Sequence, residues 1–314
     1  MKKKTFLVTG GSGFIGSNIS ELLLKLNYKV IVYDNNFRNR NISSLIKYKN
    51  CKLIKGDIRD KNKLMKAANK VDAVMHLAFI NGTKYFYSKP DLVLDVAIKG
   101  LINIFDICLA KRIKEFYLAS SSEVYQTPLK IPTKEDESLK IPDVFNPRYS
   151  YGGGKIISEL VAVNYGKKFF KKMIIFRPHN VYGPNMGNEH VIPELINKFK
   201  NLKKSKLNIQ GTGSEIRSFI YIDDFINAIN LILKKGKHLN IYNIGTSQKI
   251  TIKNLVKIIS KLLGQRVKIT NSPLKQGGTK IRIPDVLKIK KLGFKQNISL
   301  KKGIQKILIK NNLL

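Results

Sequence analysis

Six short apolar segments alternate with helical patterns between residues 5 and 178. Strands that alternate with helices form parallel βαβ units, so this part of the chain predicts an α/β fold built on a doubly wound parallel sheet. The helical patterns include 61–68 and 91–111. The predicted strands are 5–10, 28–34, 51–58, 71–78, 113–121 and 171–178.

The alternation loosens after residue 178, where helical patterns predominate and 205–213 is the clearest strand. This change predicts two domains. The larger domain covers 1–178 and takes part of 218–245, and a smaller mixed α/β domain covers 179–314. The helices predicted in this half of the chain are 190–201, 223–235 and 251–264.

A glycine-rich turn follows the first predicted strand, in the segment VTGGSGFIGS. Gly10, Gly13 and Gly16 would let the backbone approach a pyrophosphate, and the helix that begins there supplies N–H donors and a partial positive charge. Asp34 closes the second strand, 18 residues after Gly16. Its carboxylate would accept from ribose hydroxyls and repel a 2′-phosphate, which predicts a Rossmann domain that binds NAD. The simpler alternative is an ordinary tight βα turn with a capping aspartate.

A tyrosine and a lysine with helical spacing are the candidate catalytic pair. Tyr151 and Lys155 are four residues apart, so they share one face of a helix. A free phenol has a pKa of about 10, but a nearby ammonium and the positive nicotinamide ring would favour the phenolate. Such a tyrosine can take the proton from a sugar hydroxyl. Ser121, at the end of the fifth strand, could hydrogen-bond the same hydroxyl.

Three consecutive glycines, Gly152, Gly153 and Gly154, separate that tyrosine from that lysine. Each glycine in a helix interior costs about 1 kcal/mol relative to alanine. One hypothesis is that they clear space for substrate, cofactor or a packed helix. The alternative is that the helix begins near Lys155 and the glycines form the loop before it.

The chain is strongly basic, with 58 Lys and Arg residues against 21 acidic ones and a formal net charge of +37. The lysines are spread along the chain rather than gathered in a tail, which favours a solvated basic surface with small anionic ligands over nucleic-acid binding. Two cysteines argue against a disulfide framework, and the four histidines lack metal-ligand spacing. Because no apolar run is long enough to span a membrane, we expect a cytoplasmic protein.

Several motifs together resemble the extended short-chain dehydrogenase/reductases of the NAD-dependent epimerase/dehydratase family, which modify nucleotide sugars. They are TGGSGFIGS, GDIRD (56–60), HLA (76–78), SSSEVY (120–125), YGGGK, RPHNVYGP (177–184), GTGSEIRSFIYIDD (211–224) and YNIG (242–245). The resemblance implies that 1–178 binds NAD, that 179–314 binds a nucleotide-diphosphate sugar, and that the enzyme forms a homodimer.

The resemblance also implies roles for individual residues. The implied catalytic residues are Tyr151, Lys155, Ser121 and Glu123. The implied NAD contacts are Gly10, Gly13, Phe14, Ile15, Gly16, Asp34, Asp57, Ile58, Leu77, Ala78, Tyr151 and Lys155. The implied substrate contacts are Ser122, Asn180, Arg217 and Arg282. Two positions depart from the family pattern: Gln126 stands where glycine is usual, and Ala97 where asparagine is common.

The resemblance leaves the reaction open, because its members all oxidise the sugar, usually at C4, and then diverge. We favour a UDP-sugar 4-epimerase. A UDP-glucuronate decarboxylase or a nucleotide-sugar 4,6-dehydratase is the alternative, because these enzymes use a carboxylate at the position of Glu123. Two more distant alternatives are a non-catalytic relative that binds NAD or RNA and a reductase of small carbonyl compounds.

Overall fold

The computed structural model describes residues 3–38, 42–202, 205–273 and 276–314. The chain divides into two compact units, neither of which is a single continuous segment. Unit 1 comprises Met1–Val124, Ile141–Arg177 and Ile229–Tyr242, and unit 2 comprises Tyr125–Lys140, Pro178–Ala228 and Asn243–Leu314.

The strands are β1 Thr5–Thr9, β2 Lys29–Asp34, β3 Cys51–Lys55, β4 Ala73–His76, β5 Glu115–Ala119, β6 Lys172–Pro178, β7 Val181–Tyr182, β8 Lys206–Gln210, β9 Ile216–Arg217, β10 Ile220–Tyr221, β11 Asn240–Ile244, β12 Ile250–Thr251, β13 Lys268–Ser272 and β14 Ile281–Arg282. The helices are α1 Phe14–Lys25, α2 Ser43–Ile46, α3 Lys61–Ala67, α4 Thr83–Ser88, α5 Pro90–Ala110, α6 Tyr149–Phe169, α7 Val191–Lys200, α8 Ile222–Lys235, α9 Ile252–Leu263, α10 Leu287–Lys291 and α11 Leu300–Lys310.

A seven-stranded sheet with the order β11-β6-β5-β4-β1-β2-β3 forms the centre of unit 1. Neighbouring strands from β6 to β3 run parallel. Every residue of β1 is buried, as expected for a central strand covered by helices on both faces. The structure therefore confirms the predicted doubly wound α/β fold.

The helix predictions agree with the structure to within one or two residues, because local signals mark the helix ends. Asp60 caps α3 by accepting the N–H of Lys63, Pro90 begins α5, and Gly264 ends α9 with a left-handed φ of 65°. Because α6 begins at Tyr149, the three glycines lie inside a helix. The alternative of a helix that begins near Lys155 is therefore wrong.

Unit 2 is a smaller mixed α/β arrangement with three short sheets. They pair β10 with β7, β13 with β8, and β9 with both β12 and β14. No helix in the described ranges is both long enough and apolar enough to cross a membrane. The same described residues contain no group of three or more His, Cys, Asp or Glu side chains that could hold a metal ion.

Candidate active site

The glycine turn between β1 and α1 is a close-packed backbone structure. Gly10 has a φ of 69°, and a Cβ atom there would lie 2.6 Å from the backbone nitrogen of Ala78. A Cβ at Gly16 would overlap the carbonyl oxygen of Gly10. Gly13 is the N-cap of α1 and has no side chain to cover the first N–H groups, while Phe14 and Ile15 begin the helix half-buried. The turn therefore forms a cradle of the kind that accepts a phosphate.

Asp34 stands at the end of β2, with its carboxylate held by two backbone amides. Ser12 N–H donates to Oδ2 at 3.0 Å, and Asn36 N–H donates to Oδ1 at 2.7 Å. Since Ser12 belongs to the glycine turn, the structure brings the predicted ribose carboxylate and the predicted phosphate turn together.

Asp57 follows β3 and is held in an ion-pair network. Arg59 donates from Nε to Oδ1 at 3.0 Å and from Nη2 to Oδ2 at 2.8 Å, and its Nη1 reaches Asp95 on α5 at 2.8 Å. These hydrogen bonds from Arg59 lower the pKa of Asp57 to about 2. Ile58 is buried against Gly100, where an added Cβ would overlap its Cδ1. Ile58 is therefore a core residue in this structure.

The loop after β4 carries the last two predicted cofactor residues. Leu77 and Ala78 are half-buried directly after His76. His76 itself accepts or donates a 2.7 Å hydrogen bond between Nδ1 and Thr9 Oγ1. Burial lowers the pKa of His76 to about 3, and the charge of Lys155 adds to this shift. His76 is therefore a neutral, buried packing residue whose titration responds to the charge of Lys155.

Tyr151 lies on α6 between two aromatic rings. It stacks on Phe86 with ring centroids 4.8 Å apart, and the ring of Phe79 meets it edge-on at 5.1 Å. Lys155 lies one turn further along, with Nζ 5.8 Å from the Tyr151 ring centroid and 3.9 Å from that of Phe79. The ammonium donates to the carbonyl oxygen of Ala119, at the end of β5, at 2.7 Å. Burial lowers the pKa of Lys155 to about 7, and the Glu159 carboxylate opposes this shift.

The chain turns sharply after β5 and brings three predicted residues against α6. Ser122–Val124 forms a 3-10 turn that packs on α6, and Ser121 Oγ accepts the N–H of Glu123 at 3.1 Å. Arg148 was not predicted as a site residue. Its Nη2 lies 3.7 Å from Oε2 of Glu123. Its place three residues before Tyr151, on the same helical face, was the signal that could have identified it.

Unit 2 brings together the remaining predicted residues. Arg217 on β9 and Arg282 on β14 are partners in a parallel pairing, and both donate to Thr279, the first to its carbonyl at 2.7 Å and the second to its Oγ1 at 2.9 Å. Asn180 donates to the carbonyl of Ser218, the next residue after Arg217, at 2.8 Å. Two guanidinium groups and one carboxamide are thus gathered in this unit.

A family model described as the NAD dependent epimerase/dehydratase family matches residues 6–245. The chain belongs to this family. Epimerases, decarboxylases and dehydratases all occur among the similar proteins. A dTDP-D-glucose 4,6-dehydratase of Dictyostelium discoideum is 35% identical over 81% of the chain, and the match spans only 61% of that protein. A putative UDP-glucose 4-epimerase of Methanocaldococcus jannaschii is 32% identical over 98% of both chains.

Solved structures show the same fold. The dTDP-glucose 4,6-dehydratase DesIV of Streptomyces venezuelae, with NAD and TYD bound, superposes with a TM-score of 0.87. The two proteins are 25% identical, and the match covers 97% of this chain and 96% of that one. The cofactor of the family is NAD, and the glycine cradle with Asp34 in unit 1 fits it.

Both departures from the family pattern have structural consequences. Gln126 adopts a left-handed φ of 49°, a conformation that glycine takes without strain, which accounts for the usual glycine at this position. Ala97 on α5 faces α6, where a Cβ at Gly154 would lie 2.9 Å from the Ala97 Cβ. The small side chain of Ala97 therefore belongs to the close contact between these two helices.

Proposed function

We propose that this member of the epimerase/dehydratase family acts on a nucleotide sugar through a transient 4-keto intermediate, and that 4-epimerisation of a UDP-sugar is the outcome. The observation that carries the proposal is the placement of Tyr151 and Lys155 on one face of α6, with the lysine bonded to the end of β5. A 4-epimerase needs this pair and no further base. Among the relatives that match over nearly the whole length of both chains, a putative UDP-glucose 4-epimerase supports this outcome. A UDP-N-acetyl-alpha-D-glucosaminuronate decarboxylase with an equally full match supports the second candidate below.

The proposed chemistry assigns separate tasks to the residues of unit 1. Tyr151 takes the proton of the sugar hydroxyl, and later returns it to the ketone oxygen as that carbon is reduced. The Lys155 ammonium stabilises the phenolate form of Tyr151. Ser121 orients the hydroxyl by a hydrogen bond. NAD⁺ bound at the glycine cradle would accept a hydride from the sugar carbon and give it back.

The proposed substrate anchor lies in unit 2. Arg217 and Arg282 would bind the diphosphate, since hydrogen bonds between guanidinium groups and phosphate are charge-assisted and among the stronger ones. Asn180 would contribute a neutral donor beside them. The parallel pairing of the two arginines supports this role, because it places both guanidinium groups on neighbouring strands.

A second candidate function is supported by Glu123. Its carboxylate lies in the turn that packs on α6 and is 3.7 Å from Arg148. A carboxylate at this position could remove the proton next to a 4-ketone, which would lead to dehydration, or assist the loss of CO₂ from a 4-keto uronic acid.

Incubation with a panel of nucleotide sugars distinguishes these outcomes. The panel contains UDP-glucose, UDP-galactose, UDP-glucuronic acid and dTDP-glucose, with products read by mass spectrometry and NMR. We expect a product of unchanged mass, inverted at C4, without net formation of NADH. Loss of CO₂ or of water would overturn the epimerase proposal in favour of the second candidate.

The variant Glu123→Gln tests the same choice between epimerase and decarboxylase or dehydratase by changing the enzyme instead of the substrate. In an epimerase, turnover should stay within a few-fold of wild type. In a decarboxylase or dehydratase, reduced nicotinamide should still form while the later step stalls. The predicted homodimer, the predicted cytoplasmic location and the predicted absence of a nucleic-acid partner stay predictions from the sequence.

A further inference from the structure

A buried ion pair involves Glu159, one turn of α6 beyond Lys155. Arg177, at the end of β6, donates from Nε to Oε1 of Glu159 at 2.8 Å and from Nη2 to Oε2 at 2.5 Å. Both side chains are almost completely inaccessible to solvent, at 2% and 4% exposure. The hydroxyl of Ser120, the residue after β5, also donates to Glu159. One carboxylate on α6 therefore holds the ends of two neighbouring strands.

The position of Glu159 connects this pair to the catalytic lysine. Glu159 follows Lys155 by four residues, so the two side chains occupy the same face of α6. The Lys155 ammonium bonds the carbonyl of Ala119, and Ser120 is the next residue. Through Ser120, Glu159 thus fixes the strand end that supplies the acceptor for Lys155 and that leads into Ser121.

The charges around Lys155 show why a carboxylate is needed here. The titratable and charged groups that face it or its partner are Tyr151 and Glu159 on α6, His76 on β4 and Arg177 on β6. Burial keeps His76 neutral, and Lys155 and Arg177 are both buried basic groups. Removing Glu159 would take a negative charge away from both buried basic groups, and desolvation would then favour the neutral amine of Lys155.

We propose that Glu159 is a positioning residue that keeps the buried Lys155 ammonium charged and holds the end of β5 against it. The proposal rests on the catalytic role of Tyr151 and Lys155 given above. A purely structural role is the alternative, in which Glu159 serves only to neutralise Arg177. The two roles differ in one measurable respect, because only the positioning role requires the Lys155 titration to respond to the Glu159 carboxylate when Arg177 has been removed as well.

The test compares Glu159→Gln with wild type in the absence of substrate. Lysine side chains labelled with ¹⁵N are followed by NMR as the pH rises, and Lys155→Met identifies the Lys155 signal. Removing the carboxylate disfavours the ammonium, so we expect the Lys155 midpoint to fall by about one pH unit or more. Glu159→Asp, which keeps the charge, should restore the midpoint most of the way to wild type.

The matched control is Glu21→Gln. Glu21 also pairs with a lysine four residues away, Lys25, at 2.7 Å, but on the exposed face of α1. This variant should leave the Lys155 midpoint unchanged. If Glu159→Gln fails to fold because the ion pair with Arg177 is broken, the double variant Glu159→Gln/Arg177→Met is compared with Arg177→Met alone, and the Lys155 midpoint should be lower in the double variant. A Lys155 midpoint in Glu159→Gln within a few tenths of wild type, or one in the double variant within a few tenths of Arg177→Met, would overturn the proposal.

A kinetic measurement separates this proposal from the proposed function. The rate of nicotinamide reduction by a nucleotide sugar is measured against pH, and its alkaline limb should move to lower pH in Glu159→Gln together with the NMR midpoint. If wild type reduces nicotinamide with no sugar of the panel while the NMR shift is present, the proposed function fails and the link between Glu159 and Lys155 stands.

Discussion

Two glycine-rich stretches in unit 1 solve different steric problems. At Gly10 and Gly16 in the first stretch, the atoms that exclude a side chain are backbone atoms: the loop after β4 faces Gly10, and the carbonyl of Gly10 faces Gly16. In α6, the atoms that crowd Gly153 and Gly154 belong to side chains of neighbouring elements. Backbone that is fixed by a sheet and a helix cannot move aside, whereas a side chain can often change rotamer.

The two stretches are both rich in glycine, but the steric constraints on their glycines differ. The first stretch shapes the cradle itself, and a side chain at Gly10 or Gly16 would change it. The second lies in a regular helix, where each glycine has its own neighbours. A graded series of alanine substitutions should therefore separate the two stretches and also separate Gly154 from Gly153.

The largest effect is expected for Gly16→Ala. Its Cβ would overlap the carbonyl of Gly10 and lie 2.8 Å from the Cα of Gly11, so the turn must open. We expect the free energy of unfolding to fall by about 3 kcal/mol or more and NAD affinity to fall at least tenfold, measured by urea unfolding and NAD titration. Ser17→Ala, the next residue of α1, is the control and should stay within about 0.5 kcal/mol of wild type. Normal NAD binding by Gly16→Ala would remove the contrast between the two stretches.

An intermediate effect is expected for Gly154→Ala. The new Cβ would lie 2.9 Å from Ala97 Cβ and 3.0 Å from Phe79 Cζ. Overpacking costs about 1–3 kcal/mol, and the gain in helix propensity of about 1 kcal/mol offsets only part of it. Because Phe79 also contacts the Tyr151 ring and the Lys155 ammonium, turnover should fall as well.

The double variant Ala97→Gly/Gly154→Ala tests the cause of that loss. It moves the methyl group from α5 to α6 and relieves the closest contact, so it should recover part of the lost stability in urea unfolding. A double variant that shows the full sum of the two single losses would assign the effect to something other than this helix contact.

The smallest effect, with the opposite sign, is expected for Gly153→Ala. The nearest atom to its Cβ would be Cδ1 of Ile141 at 3.3 Å, the flexible end of a side chain that is 45% exposed. Ile141 can move, so the gain in helix propensity should raise the free energy of unfolding by up to about 1 kcal/mol. Thermal or urea unfolding measures it, and a clear loss of stability would extend the space-clearing role to this glycine.

The sequence predicted the features that depend on local pattern. The parallel sheet of unit 1, the helix bounds and the order of the glycine turn and Asp34 all follow from periodicity and spacing. The predicted fifth strand, 113–121, extends too far, since β5 ends at Ala119 and the chain turns immediately afterwards. The strands of two residues in unit 2 are too short to leave any periodic signal.

The features that the sequence did not predict depend on long-range contacts. Glu159 and Arg177 are 18 residues apart and belong to different elements, so their ion pair follows from the packing of α6 on the sheet. The contact between Arg148 and Glu123 likewise needs the chain to return after 25 residues. Charged residues at such positions read as ordinary surface residues until the fold buries them.

The way Asp34 is held has a consequence for changing the cofactor by protein engineering. Replacing a ribose-binding carboxylate is an obvious first step toward accepting a 2′-phosphate. Here the same carboxylate is the acceptor for the amides of Ser12 and Asn36, so its removal would also loosen the glycine turn. If Asp34 sets the cofactor preference, as we predict from the sequence, then that preference and the shape of the turn depend on the same side chain. A redesign for NADP therefore has to supply new acceptors for those two amides as well as room for the phosphate.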